Sequence, residues 1–198
     1  MIKFTNPSKE IPYVRFKEIY NKAISASQNN IEAINISSYS IKSNEINSRF
    51  VNLKFIDNEE FIFFSNYDSP KAKEFELHDQ IAVTILWGLS NAQVRIKAII
   101  KKTSLDYNKN YFKNRSPMKN ALAISSNQSM PISSYEEVQE NYKKCLQSSN
   151  LKKCPDYWGG YSFVPYYFEF WEGHESRLNK RETYEKSDDS WKHLILQP

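Results

Sequence analysis

The stretch SRFVNLKFIDNEEFIFFSNYDSPKAKEFELHDQIAVTILWGLSNAQVRIKAIIK, residues 48–101, decides the fold. Four runs rich in Phe, Ile and Val follow one another within it, at 48–56, 60–66, 81–87 and 93–101. β-Branched and aromatic side chains suit a pleated, half-buried surface. Asp57-Asn58-Glu59 separates the first two runs and Gly88-Leu89-Ser90-Asn91 the last two, and both segments carry turn chemistry. Consecutive strands joined by short turns predict an antiparallel meander that closes into a barrel or sandwich. The segment 71–77, between the pairs, reads as a short helix.

Upstream, 31–38 carries apolar residues between polar ones and predicts another strand. Pro12 precedes a helical stretch, 13–26, in which Val14, Ile19, Ala23 and Ile24 share one face while Lys17, Glu18 and Lys22 face water. Downstream, 105–115 and 135–146 read as helices. The second opens with Glu136, Glu137 and Glu140, where negative charge suits the helix dipole. Strand patterns return at 161–164, 166–172 and 191–196. This order predicts one α+β domain over residues 1–198, with residues 1–28 as an N-terminal helical extension.

Composition narrows the function. A chain of 198 residues can bury a sizeable core without staples. The formal charge is +4, from 27 basic and 23 acidic residues, and it is dispersed. That pattern lacks the basic stripe of a nucleic-acid binder but suits anionic small ligands. Cys145 and Cys154 form neither a CxxC pair nor a zinc pattern and read as reduced thiols. No window reaches the roughly 20 apolar residues of a membrane span. A soluble, cytoplasmic protein is expected, with no membrane partner.

The common catalytic signatures are missing. There is no GxGxxG, no phosphate-binding GxxxxGK[ST], no HExxH and no GxSxG. His78, His174 and His193 are dispersed, so no metal is expected. What remains is a set of cations at strand ends and loops: Arg49 and Lys54, Lys71 and Lys73, Arg115, Arg177 and Arg181. Such groups hold phosphate through forked hydrogen bonds or point charge.

A series of segments in order then resembles one family. It begins with Arg49-Phe50-Val51-Asn52-Leu53-Lys54, Phe63-Phe64-Ser65-Asn66-Tyr67, Ser69-Pro70-Lys71-Ala72-Lys73-Glu74 and Gln93-Val94-Arg95-Ile96. Next come Tyr111-Phe112 with Arg115 and Ser126-Asn127-Gln128-Ser129, then Trp158-Gly159-Gly160-Tyr161. The C-terminal signature, Phe170-Trp171-Glu172-Gly173 with Arg177-Leu178-Asn179-Lys180-Arg181, joins them. Together they resemble the pyridoxine/pyridoxamine 5'-phosphate oxidases over about residues 10–198. The resemblance implies a homodimeric split β-barrel with flanking helices that binds FMN. It implies cofactor contacts from Arg49, Lys54, Phe64, Ser65, Lys71, Gln93, Gln128, Ser129, Trp171 and Arg181. It implies substrate contacts from Lys54, Tyr111, Arg115, Lys119, Arg177 and Asn179, with Arg177 and Asn179 beside the reacting ring. The implied substrates are a B6 phosphate and oxygen.

The chain departs from the family at several of these points. Pro70 stands where the family has Arg, Lys119 where it has Ser, Asn179 where it has His and Lys180 where it has an acid. Glu172 replaces a Gln, and Ala72 and Ala92 replace a Gly and an Arg. Asn hydrogen-bonds but does not titrate near neutral pH. Two alternatives therefore stay open: oxidation of a different reduced ring, and flavin or B6-phosphate binding without turnover.

Overall fold

The computed structural model describes residues 1–188 and 190–198. The chain opens with a strand, β1 (Lys3–Pro7), so the expected N-terminal extension is not wholly helical. β1 pairs in parallel with a later strand, and Ile2 beside it is buried. Helix α1 (Ile11–Ser25) follows, with proline in its first turn, where a missing N–H costs nothing. Its buried face is Tyr13, Phe16, Ile19, Tyr20 and Ala23. Val14 and Ile24, expected on that face, are exposed. The aromatic rings at 13, 16 and 20 bury more area than the aliphatic set and so fix the helix's rotation.

Strands β2 (Ala33–Ser40) and β3 (Glu45–Asn52) form a hairpin. The run at 48–56, expected as one strand, breaks after Asn52; β4 (Phe55–Asn58) pairs elsewhere, with β1 and with β5 (Glu60–Asn66). At the break Leu53 is buried and donates its N–H to the Glu32 carbonyl, while the Lys54 N–H goes to the Ile62 carbonyl. The chain thus crosses between two parts of the sheet at this point, with Arg49 before the crossing and Lys54 at it. Asn58 closes the β4–β5 turn at φ 50°, a conformation that Asn tolerates.

Helix α2 (Pro70–Leu77) and strands β6 (Gln80–Trp87) and β7 (Ala92–Lys102) lie where expected. Helices α3 (Leu105–Lys113) and α5 (Tyr135–Ser148) carry Ser104 and Ser134 as N-caps, each accepting from the third following N–H. Between them α4 (Pro117–Ser125) is a further helix, one that the sequence pattern did not announce. The strands expected at 161–164 and 166–172 are one strand, β8 (Trp158–Glu172). Its register against β7 slips between Lys97 and Ala98, opposite Pro165. A bulge lets proline sit in a strand without losing a needed donor. Strands β9 (Lys180–Ser187) and β10 (Ser190–Leu196) complete the chain; β9, KRETYEKS, is too polar to read as a strand.

The sheet runs β1-β4-β5-β8-β7-β6-β2-β3, and β9 with β10 branches from β8. All pairings are antiparallel except β1 with β4. β8 holds the branch because its first half pairs with β5 and its second half with β9. The core beneath α1 is aromatic: Phe16, Phe61, Phe63, Trp87, Phe163, Phe168 and Phe170 are all buried. Each contributes on the order of 2 kcal/mol of hydrophobic stabilisation. No helix of the described residues is long and apolar enough to cross a membrane.

Candidate functional site

A cleft of about 870 Å³ opens beside α2, lined from β1, β3, β5, α2, α3, α4 and the segments flanking α4. The β3–β4 crossing brings Arg49 and Lys54 to it. β5 supplies Phe64 and Ser65, α2 supplies Lys71, and α3 with its C-terminal turn supplies Tyr111 and Arg115. Lys119, Gln128 and Ser129 line it as well. Gly159 lets α3 sit close to β8: a side chain there would collide with the Tyr67 hydroxyl and the Asn108 amide. Asn108 in turn accepts from the Gly160 N–H at 2.8 Å and so holds α3 to the sheet.

The cleft has an excess of positive charge. Lys3, Arg49, Lys54, Lys71, Arg115 and Lys119 line it, against Glu74 as the acid among its lining residues. Burial pushes the Lys71 ammonium down to about 8; the Arg49 guanidinium pushes the same way and the Glu74 carboxylate opposes. Burial also lowers Lys54, with Lys119 and Arg115 adding to it and Glu32 opposing. Arg115 is lowered by burial, and Tyr111 opposes. Cations that depress one another this way favour an anion between them.

Hydrogen bonds fix these groups. Lys71 Nζ donates to Ser65 Oγ at 3.0 Å and to Ser69 Oγ at 3.1 Å. Gln128 Oε1 accepts from Ser65 Oγ at 3.3 Å and from the Asn66 N–H at 3.2 Å, tying the 126–129 loop to β5. Arg115 donates to the Lys119 carbonyl at 2.7 Å and to Asn120 Oδ1 at 3.1 Å, and lies 4.9 Å over the Trp158 ring. The wall is an aromatic stack. Phe64 and Tyr111 have centroids 3.8 Å apart at 12°, and Trp158 stacks on Phe64 at 5.2 Å and 8°. A flat apolar wall beside convergent cations suits a planar, phosphorylated ring.

The other expected residues lie outside the cleft. Gln93, Trp171 and Arg181 form a row in register across β7, β8 and β9. Arg181 donates to Glu169 at 2.7 and 3.0 Å and to the Gln197 carbonyl at 3.0 Å. Glu169, 3% exposed, also accepts from Arg95 at 2.9 Å and from the Tyr167 hydroxyl at 3.2 Å. Arg177 is exposed at φ 60° in the β8–β9 turn. Asn179 Oδ1 accepts from the His174 N–H at 3.1 Å and closes that turn. One chain therefore carries the expected residues as two groups.

Sequence reasoning missed several residues of the cleft. Lys3 reaches it because β1 pairs with β4, a pairing no local pattern announces. Glu74 lies on the Lys71 side of α2, three residues on; that spacing was the available signal. Asn47, Asn114 and Ser116 are polar residues without motif context.

Known proteins resemble this chain in sequence and in fold. Residues 158–198 match the model of the pyridoxine 5'-phosphate oxidase C-terminal dimerisation region. The chain is 35% identical over 148 residues to a pyridoxine/pyridoxamine 5'-phosphate oxidase of Hydrogenovibrio crunogenus, covering 72% of this chain and 68% of that protein. With its namesake in Christiangramia forsetii it shares 33% identity over 192 residues, covering 94% and 88%. The crystal structure of PhzG from Burkholderia lata 383, in complex with tetrahydrophenazine-1-carboxylic acid, matches with a TM-score of 0.89 at 24% identity, covering 98% of this chain and 95% of that one. A pyridoxamine 5'-phosphate oxidase-related, FMN binding protein from Nostoc punctiforme matches with a TM-score of 0.80 at 9% identity, covering 96% and 99%. The expected α+β split barrel is the fold found.

Proposed function

This chain belongs to the pyridoxine/pyridoxamine 5'-phosphate oxidase family, and on that premise we propose that it is an FMN-dependent oxidase taking pyridoxine or pyridoxamine 5'-phosphate to pyridoxal 5'-phosphate. The observation that carries the reading is the cation-rich cleft beside the Phe64–Tyr111 stack. Its donors fit the phosphate of FMN. Lys71 is a nearly buried ammonium depressed to about 8, and Arg49, Ser65, Gln128 and Ser129 flank it. A phosphate dianion supplies the charge that this group of cations lacks.

In the proposed mechanism, FMN held by these residues would supply the two-electron acceptor for oxidation at the substrate C4' carbon, with oxygen as the final oxidant and hydrogen peroxide as its product. The chain's residues bind and orient. Arg49 and Lys71 hold the cofactor phosphate. Lys54, Arg115 and Lys119 hold the substrate phosphate, with the Tyr111 hydroxyl as a further donor. Tyr111 stays protonated over the working range, because burial raises it while Arg115 opposes. Phe64 and Tyr111, with Trp158 stacked on Phe64, keep water from one face of the cleft. No side chain needs to act as nucleophile; orientation and charge placement carry the protein's share.

A homodimer completes the site in this reading. Gln93, Trp171, Arg181, Arg177 and Asn179 lie outside the cleft of their own chain and act in the partner's. The dimerisation-region match over 158–198 contains four of these five residues and supports that assembly. Exposed Leu178, Leu194 and Ile195 in the same segment give it apolar surface to bury.

A second reading keeps the fold and cofactor and changes the substrate to another reduced ring. Lys119, Pro70 and Asn179 motivate it, and so does the likeness to the PhzG structure. The test is an absorbance spectrum of the purified protein before and after anaerobic addition of pyridoxine 5'-phosphate. Flavin bands near about 450 nm that bleach are expected. Bands that persist with B6 phosphates transfer the assignment to another ring, and protein that takes up no FMN refutes both readings.

A further inference from the structure

We propose that Glu74 is a positioning residue that holds the Arg49 guanidinium so that one pair of its donors is presented to the FMN phosphate. The inference rests on the FMN reading above and assigns a role to a carboxylate that otherwise looks out of place among cations.

A guanidinium has five N–H donors. Arg49 Nη1 donates to the Ile36 carbonyl at 3.3 Å and to Ser38 Oγ at 2.5 Å. Its Nη2 donates to Glu74 Oε2 at 3.0 Å. That leaves the Nε–H and one N–H of Nη2. Two adjacent donors of one planar group match two oxygens of a phosphate. Glu74 cannot swing to follow a mobile arginine. Its Oε2 also accepts the Ser38 hydroxyl, its Oε1 accepts the Asn47 amide at 2.9 Å, and the residue is 8% exposed. The anchor joins three elements at the cleft: β2 gives Ser38 and Ile36, β3 gives Asn47 and Arg49, and α2 gives Glu74. The same carboxylate opposes the depression of Lys71, keeping that ammonium charged to higher pH.

A different account would have Glu74 merely offset positive charge. It predicts the opposite sign, since removing a negative charge beside a phosphate strengthens phosphate binding. The experiment uses two ligands that share a ring system and differ in the phosphate. FMN and riboflavin are titrated separately into the flavin-free full chain by fluorescence quenching, for wild type, Glu74→Gln, Glu74→Ala, Arg49→Ala and the Arg49→Ala/Glu74→Ala double variant. Expected is a loss of FMN affinity of about tenfold in Glu74→Ala, with riboflavin changed less than about twofold and a smaller FMN loss in Glu74→Gln. In the Arg49→Ala background, removing Glu74 should cost less than about twofold further. Tighter or unchanged FMN binding in Glu74→Ala overturns the inference. So does an equal loss for riboflavin, which marks a role in folding alone. If the alanine variant fails to fold, the same comparison is made with Glu74→Gln, which is close to isosteric, and unchanged or tighter FMN binding there overturns the inference. A wild type with no preference for FMN over riboflavin overturns the functional reading itself. A wild-type preference that survives Glu74→Ala overturns only the role of Glu74.

Discussion

The cleft beside α2 and the row across β7, β8 and β9 both carry arginines, yet they treat positive charge differently. In the cleft, Lys71 is pushed down to about 8 and Lys54 and Arg115 are lowered as well, by burial first and, for the two lysines, by neighbouring cations next. In the row, Arg181 is already ion-paired within the chain, to the buried carboxylate of Glu169, which Arg95 also contacts. A cleft with unbalanced cations is built for an anion that arrives from outside. A row whose one arginine is held by a buried carboxylate is built as a rigid surface. Ligand affinity should therefore concentrate in the first region, and the second should act on what the first has bound.

That contrast can be broken by mutation, beginning where the effect is largest. Arg49→Ala should raise the FMN dissociation constant by about 100-fold, the equivalent of a lost two-donor phosphate contact. Equilibrium dialysis against FMN measures it, and retention within about threefold of wild type would remove Arg49 from the phosphate site. Arg177→Ala tests the other region. Turnover of B6 phosphates should fall about 10- to 100-fold while FMN affinity stays within about threefold. If steady-state assays find the two parameters falling together, the separation of roles between the regions is wrong.

The Lys71 titration sharpens the comparison further. Its ammonium sits below the ordinary lysine value, at about 8 in the free protein, and a bound phosphate favours the charged form. FMN affinity should hold below about pH 8 and fall as pH rises through it, by at most about tenfold per unit. Lys71→Gln should flatten that fall; a pH profile that stays steep in the variant points to a different group. Trp171→Phe carries the smallest effect. In a rigid platform whose cation is already paired, losing the indole should cost FMN binding less than about threefold, under about 1 kcal/mol. A larger loss would make Trp171 a principal anchor and bring the row into line with the cleft.

How far the sequence was legible differs by element. The strands at β5, β6 and β7 follow from apolar runs bounded by turn residues, because pleat and turn are local properties. β9 was invisible for the same reason: its charged alternation has no apolar signal, and only pairing with β8 and β10 makes it a strand. β1 is a strand because β4 lies beside it, and α4 forms in a short stretch whose pattern marks no element. Ile19 and Ala23 lie on the buried α1 face as expected, but Val14 and Ile24 do not, because aliphatic positions alone leave out the greater area that Tyr13, Phe16 and Tyr20 bury. Among site residues, ordered motifs with kept spacing pointed to Arg49, Lys71, Tyr111 and Arg115, which the cleft brings together. Lys3 lies outside those motifs, and Glu74 lies within one that gives it no role.

By itself the sequence determined the α+β class, the order of most elements and the family, since each rests on local periodicity or on ordered motifs. Tertiary structure alone decided three things. It broke the chain at Leu53, so that Arg49 and Lys54 stand on either side of a crossing. It set Glu74 against Arg49 across 25 positions of sequence. It left Gln93, Trp171 and Arg181 in one row, apart from the cleft. The physical reason is common to all three: hydrogen-bond and charge partners are chosen by distance in space, and strand pairing sets that distance without leaving a trace in local composition.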